Sequence, residues 1–175
     1  MYAIRGIRLM MDALSKIQTL SGNEDKQEDI LDARSDALES SWLCGTVLGW
    51  VHMGLHHKIC HTLGGQLNTP HAETHAILLP HTLLYNFSSL DKRQQSLFKE
   101  AFDVEDGLSV AKRIRNVLIA QQGVPTSLQQ LGVQKDELEK VAKAAVAAPY
   151  PNPRQLDEKS VLHMLQNAWE GTLSE

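Results

Sequence analysis

Apolar residues recur at intervals of three and four along nearly the whole chain, whereas alternating or β-branched runs of strand length are missing. Residues at this spacing share one face of an α-helix, so the pattern predicts an all-α fold. The first segment follows the pattern from Ile4 to Ile17 and stops before the polar stretch 21–25, where we expect a surface turn.

The second segment is longer and more apolar, and it predicts a helix from about residue 27 to residue 52. Its second half, residues 42–51, has apolar residues on nearly every face of the predicted helix, which indicates a helix buried on most of its circumference. We therefore expect this helix to be the spine of the domain, with close packing or a ligand compensating for Gly45 and Gly49. The residues predicted to face inward are Ile30, Ala33, Ala37, Leu38, Ser41, Leu48 and Val51.

Glycine and proline divide the middle of the chain. Residues 55–63 predict a short helix that ends at Gly64 and Gly65, and Pro70 is a favourable first-turn residue for the helix that follows. His81 comes directly after Pro80, so we expect it at a helix junction.

Four more helices are predicted beyond Asn86, at residues 91–102, 106–121, 135–148 and 156–169. Asp is favourable before a first helical turn and Gly just after a last one. The expected starts are Asp91, Asp106 and Asp157, and the expected stops are Gly123 and Gly132. The stretch 149–154 predicts a rigid turn, and without repeats or long linkers residues 1–175 predict a single domain.

Size and charge exclude several functional classes. A chain of 175 residues buries enough surface to need no disulfide framework, and Cys44 and Cys60 are not in CxxC spacing. The net charge of −4 and the scattered Lys and Arg predict no nucleic-acid partner. Residues 42–51 are about half the length of a membrane span, and the N-terminus lacks a secretory signal, so we expect a cytoplasmic protein without a membrane partner.

Histidine is the exception to this ordinary composition. Seven of the eight histidines fall within residues 52–81, where an even distribution would place only one or two. They are His52, His56, His57, His61, His71, His75 and His81, and His163 lies apart. A lone histidine in a helix is more often structural than functional, but clustering of this kind indicates a site.

Three histidine pairs are spaced four residues apart and so share a helix face. They are His52/His56, His57/His61 and His71/His75. Neutral imidazole binds zinc, iron or nickel, and it also titrates close to physiological pH. Each pair is therefore suited to metal binding or to proton transfer, and spacing alone leaves both open.

Other chemistry finds less support in the sequence. The zinc-protease motif requires Glu directly after its first His, and Glu73 stands one position late after His71. Cys60 is expected as a small buried side chain, and Gly64 and Gly65 follow a predicted helix rather than the strand of a dinucleotide site. The tryptophans expected in the core are Trp42, Trp50 and Trp169.

The segment from Gly54 to His81, GLHHKICHTLGGQLNTPHAETHAILLPH, resembles the metal-site segment of the iron-containing, or group III, alcohol dehydrogenase family. That family's pattern is a His, a second His four residues on, LGG or LGA, a short loop, Pro-His and a closing LPH. The HHKxCHxLGG and PHAETHA forms, together with PYPNPR at 149–154, are similar to maleylacetate reductases. ARSDALESSWLCG at 33–45 is also typical, and the resemblance covers essentially the whole chain.

The resemblance implies a longer, two-domain protein, which we expect to be a homodimer. Its N-terminal α/β domain binds NADH or NADPH, and its all-α C-terminal domain, which residues 1–175 resemble, carries the metal and substrate site. We expect the N-terminal nucleotide-binding domain to be absent here, together with the Asp and His that complete the family's metal site. In maleylacetate reductases that Asp is often Asn, so the resemblance leaves bound iron or zinc open.

The resemblance also assigns roles to individual histidines. His57 and His71 fall on the two metal-ligand positions, and His61 falls on the position often assigned to proton relay. His56 and His75 are neighbours typical of maleylacetate reductases, and they would either bind a substrate carboxylate or orient the ligands.

The implied reaction is NADH- or NADPH-dependent reduction of maleylacetate to 3-oxoadipate, a step in aromatic-compound degradation. A metal-dependent alcohol dehydrogenase is the alternative enzyme, and a noncatalytic helical fragment or partner subunit is the alternative from another class. Two imidazoles hold a metal weakly, and hydride transfer needs a nicotinamide against the substrate. We therefore expect the chain alone to be inactive.

Overall fold

The computed structural model describes residues 1–120 and 124–174, and within these ranges the chain is helical without a β-strand. This confirms the all-α prediction. The helices are α1 (Tyr2–Leu20), α2 (Gln27–Trp50), α3 (Leu55–Leu67), α4 (His71–Phe87), α5 (Lys92–Phe102), α6 (Gly107–Ala120), α7 (Leu138–Val146) and α8 (Glu158–Glu170). Short 3-10 turns lie at Glu24–Lys26, Gln129–Leu131 and Lys135–Glu137.

The predicted aspartate caps are confirmed. The side chain of Asp91 accepts a hydrogen bond from the backbone N–H of Gln94 at 2.8 Å, and Asp157 does the same for Ser160 at 2.9 Å. Asp106 accepts from the backbone N–H of Ser109 at 2.7 Å. Each bond satisfies an amide that the first helical turn leaves without a partner. The stop predicted at Gly123 lies outside the described residues.

The prediction that α3 ends at Gly64 and Gly65 is wrong. Both glycines lie inside α3, which continues to Leu67 and ends at Asn68, whose φ of 53° is left-handed. Asparagine tolerates this conformation better than most residues. The helix continues because Leu67 packs against the hydrophobic core, which compensates for the low helix propensity of glycine.

The helix junction predicted at His81 is also wrong. Pro80 and His81 lie inside α4, and His81 is only 4% exposed. A proline within a helix removes one backbone hydrogen bond, yet the flanking Ile77, Leu78 and Leu84 are all buried. Tertiary packing of these side chains therefore outweighs the local preference for a break.

Two hydrophobic clusters hold the helices together. The larger cluster joins α3, α4, α7 and α8 through fully buried side chains such as Leu63, Leu78 and Leu165. The smaller cluster joins α4 to α6 and α5 through Phe87, Phe102 and Val110, with side chains of α1 packed against it. The α3–α4 pair that carries most of the histidines is thus anchored in the larger cluster.

The prediction that α2 is a buried spine is wrong. Trp42 and Trp50 are 65% and 70% exposed, and Leu38 is 73% exposed. Open space, not a packed helix, lies beside Gly45 and Gly49. The buried side of α2 consists of Ile30, Ala33, Ser40 and Leu43, which face α1, so Ser41, Leu48 and Val51 also lie outside the core.

The third tryptophan differs from the other two. Trp169 on α8 packs against the larger cluster and donates a hydrogen bond from Nε1 to the carbonyl of Val133 at 2.7 Å. The prediction of a core position is therefore right for Trp169 and wrong for Trp42 and Trp50. None of the described helices is long and apolar enough to cross a membrane.

Candidate active site

The five histidines that the sequence singles out as site residues meet in one cluster between α3 and α4. The ring of His75 lies 4.3 Å from that of His71, 4.9 Å from that of His56 and 5.0 Å from that of His57, measured between centroids. His61 lies 6.0 Å from His57 and 6.1 Å from His71. We call these five residues the histidine cluster.

The cluster forms because each of the two helices has one face in the core and another face towards the site. Leu55, Ile59 and Leu63 of α3 are fully buried, which turns His57 and His61 away from the core. On α4, burial of Ile77 and Leu78 has the same effect on His71 and His75, which lie one turn apart near the start of that helix.

The start of α3 is fixed by the proline-rich turn at 149–154. The side-chain oxygen of Asn152 accepts a hydrogen bond from the backbone N–H of Leu55 at 3.2 Å, and its amide donates to Asn86 Oδ1 at 2.7 Å. Asn152 thereby joins the first turn of α3 to the end of α4. This turn, predicted as rigid, positions the helix that carries His56 and His57.

A chain of hydrogen bonds runs from α4 through His56 to His75. The Thr82 hydroxyl donates to the carbonyl of Leu78 at 2.9 Å and lies 3.1 Å from His56 Nδ1. Because the Thr82 hydroxyl donates its proton to Leu78, it accepts a hydrogen bond from His56 Nδ1–H. The other ring nitrogen of His56, Nε2, then carries no proton and is an acceptor. His56 Nε2 is 3.1 Å from His75 Nδ1, which is then the donor in that bond.

This order of donors and acceptors also determines the protonation of the second ring nitrogen of His75. With its proton on Nδ1, His75 carries a lone pair on Nε2, and this buried atom has no hydrogen-bond partner among the described residues. A buried polar atom without a partner is costly, so its lone pair is available to a ligand or to a proton. Thr82, which sequence reasoning missed, lies seven residues after His75, two helical turns along the same face.

Burial and mutual repulsion keep the inner histidines neutral. Burial, with the neighbouring His75 and His57, lowers the pKa of His56 to about 3. Burial, with His71, His57 and His61, lowers the pKa of His75 to about 4. The pKa of His57 is lowered as well, by burial and by His61 and His71. Neutral imidazoles are the form that binds metals.

The donor chemistry of the histidine cluster suits a divalent metal, because imidazole nitrogen binds iron or zinc. The rings of His57 and His71 both lie close to that of His75, whose Nε2 has no partner among the described residues. Stable metal sites have three or four protein ligands in fixed geometry, so the pair His57 and His71 needs further donors. The sequence-based assignment of this pair remains a prediction.

In the described part of the chain, one group of three potential metal ligands has its donor atoms close together. The group consists of His56, Cys60 and His75. Its chemistry is poorly suited to a metal. Both ring nitrogens of His56 are already in hydrogen bonds, and burial raises the pKa of the Cys60 thiol to about 12. Cys60 is 1% exposed, which confirms its prediction as a small buried side chain.

An open cleft of about 510 Å³ borders the histidine cluster, with His56, His52, Asn86 and Asn152 in its wall. His52 is exposed, so the pair His52/His56 is split between the rim and the interior of the site. His81 and His163 line a separate cavity, whose other lining residues come mainly from α4 and α8. The structure thus brings together five of the seven clustered histidines.

Comparisons with known proteins show what this chain is similar to. The sequence model for the Fe-containing alcohol dehydrogenase family, C-terminal, matches residues 1–169. A maleylacetate reductase from Burkholderia cepacia is 42% identical over 169 residues, which cover 97% of this chain and 45% of the relative. The chain therefore spans less than half the length of this curated relative.

Solved structures show the same fold. The crystal structure of maleylacetate reductase from Rhizobium sp. strain MTP-10005 superposes with a TM-score of 0.81 at 39% identity, covering 98% of this chain and 45% of that one. An iron-containing alcohol dehydrogenase from Corynebacterium glutamicum superposes with a TM-score of 0.81 at 28% identity, covering 96% of this chain and 44% of that one.

Proposed function

The chain belongs to the Fe-containing alcohol dehydrogenase family, whose C-terminal part it matches, and we propose that it forms one wall of an NADH- or NADPH-dependent reductase site. The proposed substrate is maleylacetate, reduced to 3-oxoadipate in aromatic-compound degradation. The observation that carries this proposal is the meeting of five histidines from α3 and α4 beside an open cleft.

His57 and His71 are the proposed metal ligands, with further donors supplied by a nucleotide-binding domain. When bound, iron or zinc would polarise a substrate oxygen as a Lewis acid. The ring of His75 lies close to both of these rings, and its Nε2 has no partner among the described residues, so His75 is a third candidate metal ligand.

His61 is the proposed proton donor. Reduction of the activated double bond takes a hydride from the nicotinamide and a proton from a positioned acid, and the exposed His61 can regain that proton from solvent. The centre of its ring lies 6.0 Å from that of His57 and 6.1 Å from that of His71, so His61 is a neighbour of both proposed metal ligands.

For His56, the geometry supports an orienting role over carboxylate binding. Both of its ring nitrogens are engaged, and at neutral pH it carries no charge to offer a carboxylate. His56 instead fixes the tautomer of His75, as partners of metal-binding histidines do in known sites.

The exposed apolar side chains of α2 support the proposal that this chain acts together with a further domain. Leu38, Trp42, Trp50 and Val51 are each more than half exposed, and we call them the α2 face. Exposed apolar patches mark interaction sites. We propose that the nucleotide-binding domain, on the same polypeptide or on a partner chain, covers the α2 face, which favours this account over an independent noncatalytic module.

The test uses the chain joined to an N-terminal α/β domain of a relative. Oxidation of NADH and of NADPH is followed with maleylacetate and with small aldehydes, and maleylacetate turnover supports the proposal. His61→Ala should lower kcat by more than about tenfold with little loss of stability, since general acids typically contribute at least this much. Gln66→Ala, an exposed position on α3, is the matched control.

Two outcomes would contradict the proposal in different ways. Turnover of aldehydes but not maleylacetate would identify an alcohol dehydrogenase instead. Normal kcat in His61→Ala would remove His61 from the mechanism while leaving the substrate assignment intact.

A further inference from the structure

A second cavity, of about 210 Å³, lies between α4 and α8 and does not include any residue of the histidine cluster. Its lining includes the apolar side chains of Leu84, Phe87 and Met164. It also includes the polar side chains of Arg154, His81 and His163. A mixed lining of this kind matches a small molecule that has an apolar body and one polar end.

Arg154 is held in place as a donor. Its guanidinium carbon lies 4.2 Å from the centre of the Tyr85 ring, and one N–H group donates to the carbonyl of Tyr85 at 3.4 Å. Its backbone N–H donates to Asn86 Oδ1 at 3.3 Å. A guanidinium has five N–H donors, so stacking and one hydrogen bond fix its orientation and leave donors for a bound anion.

His81 is a buried polar side chain of the same cavity and is 4% exposed. Burial and the nearby Arg115 lower its pKa to about 4, so the ring is neutral and offers one N–H donor. A neutral N–H group in the wall can donate a hydrogen bond to a ligand.

Several other polar groups of the cavity are paired. The Tyr85 hydroxyl is 2.9 Å from Ser160 Oγ, and Ser160 also bonds to the Asp157 carboxylate. Asn167 lies within 3.5 Å of His163 Nε2 and donates to the carbonyl of Ser174 at 3.4 Å. Hydrogen bonds from Ser160 lower the pKa of Asp157 and Arg154 lowers it further, so Arg154 already faces one carboxylate, and its remaining N–H groups favour a second anion or a strong hydrogen-bond acceptor.

We infer that this cavity is a binding site for a small organic carboxylate with an apolar body, separate from the histidine cluster. Arg154 pairs with the carboxylate, His81 donates a hydrogen bond to it, and Leu84, Phe87 and Met164 contact the apolar body. Charge-assisted pairing of carboxylate with guanidinium supplies most of the selectivity. This site does not depend on the proposed reductase activity.

Benzoate is the probe, and benzamide is the matched uncharged compound. In the 175-residue chain labelled with ¹⁵N-histidine, benzoate should shift the ring resonances of His81 and His163 saturably. Benzamide should bind at least about tenfold more weakly, because it cannot form the ion pair. The resonances of His57 and His71 should stay in place.

Variants locate the site. Arg154→Gln should raise the dissociation constant for benzoate by at least about tenfold, whereas Arg93→Gln, an exposed arginine on α5, should change it less than about twofold. Asn167→Asp, which places a negative charge in the cavity with little change of shape, should abolish binding even if Arg154→Gln folds poorly.

Three results would overturn the inference. One is equal binding of benzoate and benzamide, and another is the absence of saturation at about 10 mM benzoate. The third is a set of shifts confined to His57, His61 and His71, which would assign benzoate to the histidine cluster.

Discussion

Two apolar segments of similar composition have opposite environments in this protein. Residues 77–85 of α4 and 42–51 of α2 are both rich in large apolar side chains. Ile77 and Leu78 are 2% and 0% exposed, whereas Trp42 and Trp50 are 65% and 70% exposed. An apolar segment therefore predicts a covered surface but does not identify the part of the protein that covers it.

The apolar side chains of α4 are buried by other helices of the same chain, since α3, α6 and α8 pack around α4. Among the described residues, α2 packs mainly against α1, through small and medium side chains such as Ala13, Ala33 and Leu43. We propose that the other side, the α2 face, is covered by a nucleotide-binding domain. Substitutions in the two segments therefore have different expected costs.

The largest expected effect is on the free energy of unfolding when a core leucine is truncated. Leu63 is 0% exposed, so Leu63→Ala should lower this free energy by about 2–5 kcal/mol. Leu38→Ala is the matched control on the α2 face and should change it by less than about 0.5 kcal/mol. Urea denaturation of the 175-residue chain measures both, and equal costs would contradict the comparison.

Acid should destabilise the α3–α4 region. His56, His75 and His81 have native pKa values of about 3, 4 and 4, against about 6.5 in the unfolded chain. Below pH 6.5 the unfolded chain binds protons that the native chain does not, so stability is present at neutral pH and falls as pH drops towards 4. His81 accounts for up to about 3 kcal/mol of this loss.

Denaturation at pH 7 and at pH 5 measures this effect. His81→Asn should lessen the difference in unfolding free energy between the two pH values, because one of the three groups no longer titrates. An unchanged difference would mean that His81 is accessible to protons in the native state.

A smaller effect is expected from a pair of threonines that make the same bond in the two segments. Thr82 donates to Leu78 O at 2.9 Å in α4, and Thr46 donates to Trp42 O at 2.8 Å in α2. Thr82→Val should cost about 1–3 kcal/mol, because it leaves His56 Nδ1–H without its acceptor. Thr46→Val should cost almost nothing, since no such group depends on it, and thermal denaturation of both variants checks the contrast.

The smallest effect is expected at Trp42. Because its side chain is 65% exposed, Trp42→Ser should change the unfolding free energy of the 175-residue chain by less than about 0.5 kcal/mol. Trp169→Ser should cost more, since Trp169 packs in the core and bonds to Val133. A cost above about 2 kcal/mol for Trp42→Ser would show that the α2 face supports this domain internally.

Local chemistry was sufficient to predict most of the fold. Helical periodicity identified every α-helix among the described residues, and the caps at Asp91, Asp106 and Asp157 followed from side-chain chemistry. The wrong predictions arose where tertiary packing decides. Gly64, Gly65 and Pro80 remain inside helices because their neighbours are buried, and that burial is not encoded by adjacent residues.

The sequence was sufficient to predict which histidines lie in the candidate site, but not the hydrogen bonds that connect them. Spacing of four residues predicted three pairs, and the structure brings together His57/His61 and His71/His75 but leaves His52 of the pair His52/His56 exposed outside the cluster. The link from Thr82 through His56 to His75 depends on how α3 packs against α4, so sequence spacing did not reveal it. The cavity at His81 and Arg154 likewise joins residues far apart in the chain.

We propose that these 175 residues supply one wall of a reductase site and that a nucleotide-binding domain supplies the nicotinamide. Titration of NADH and NADPH into the 175-residue chain, followed by nucleotide fluorescence, separates the two contributions. We expect no saturable binding by the chain alone and saturable binding once an N-terminal α/β domain is joined to it. A micromolar dissociation constant for the chain alone would show that the nicotinamide site does not need the second domain.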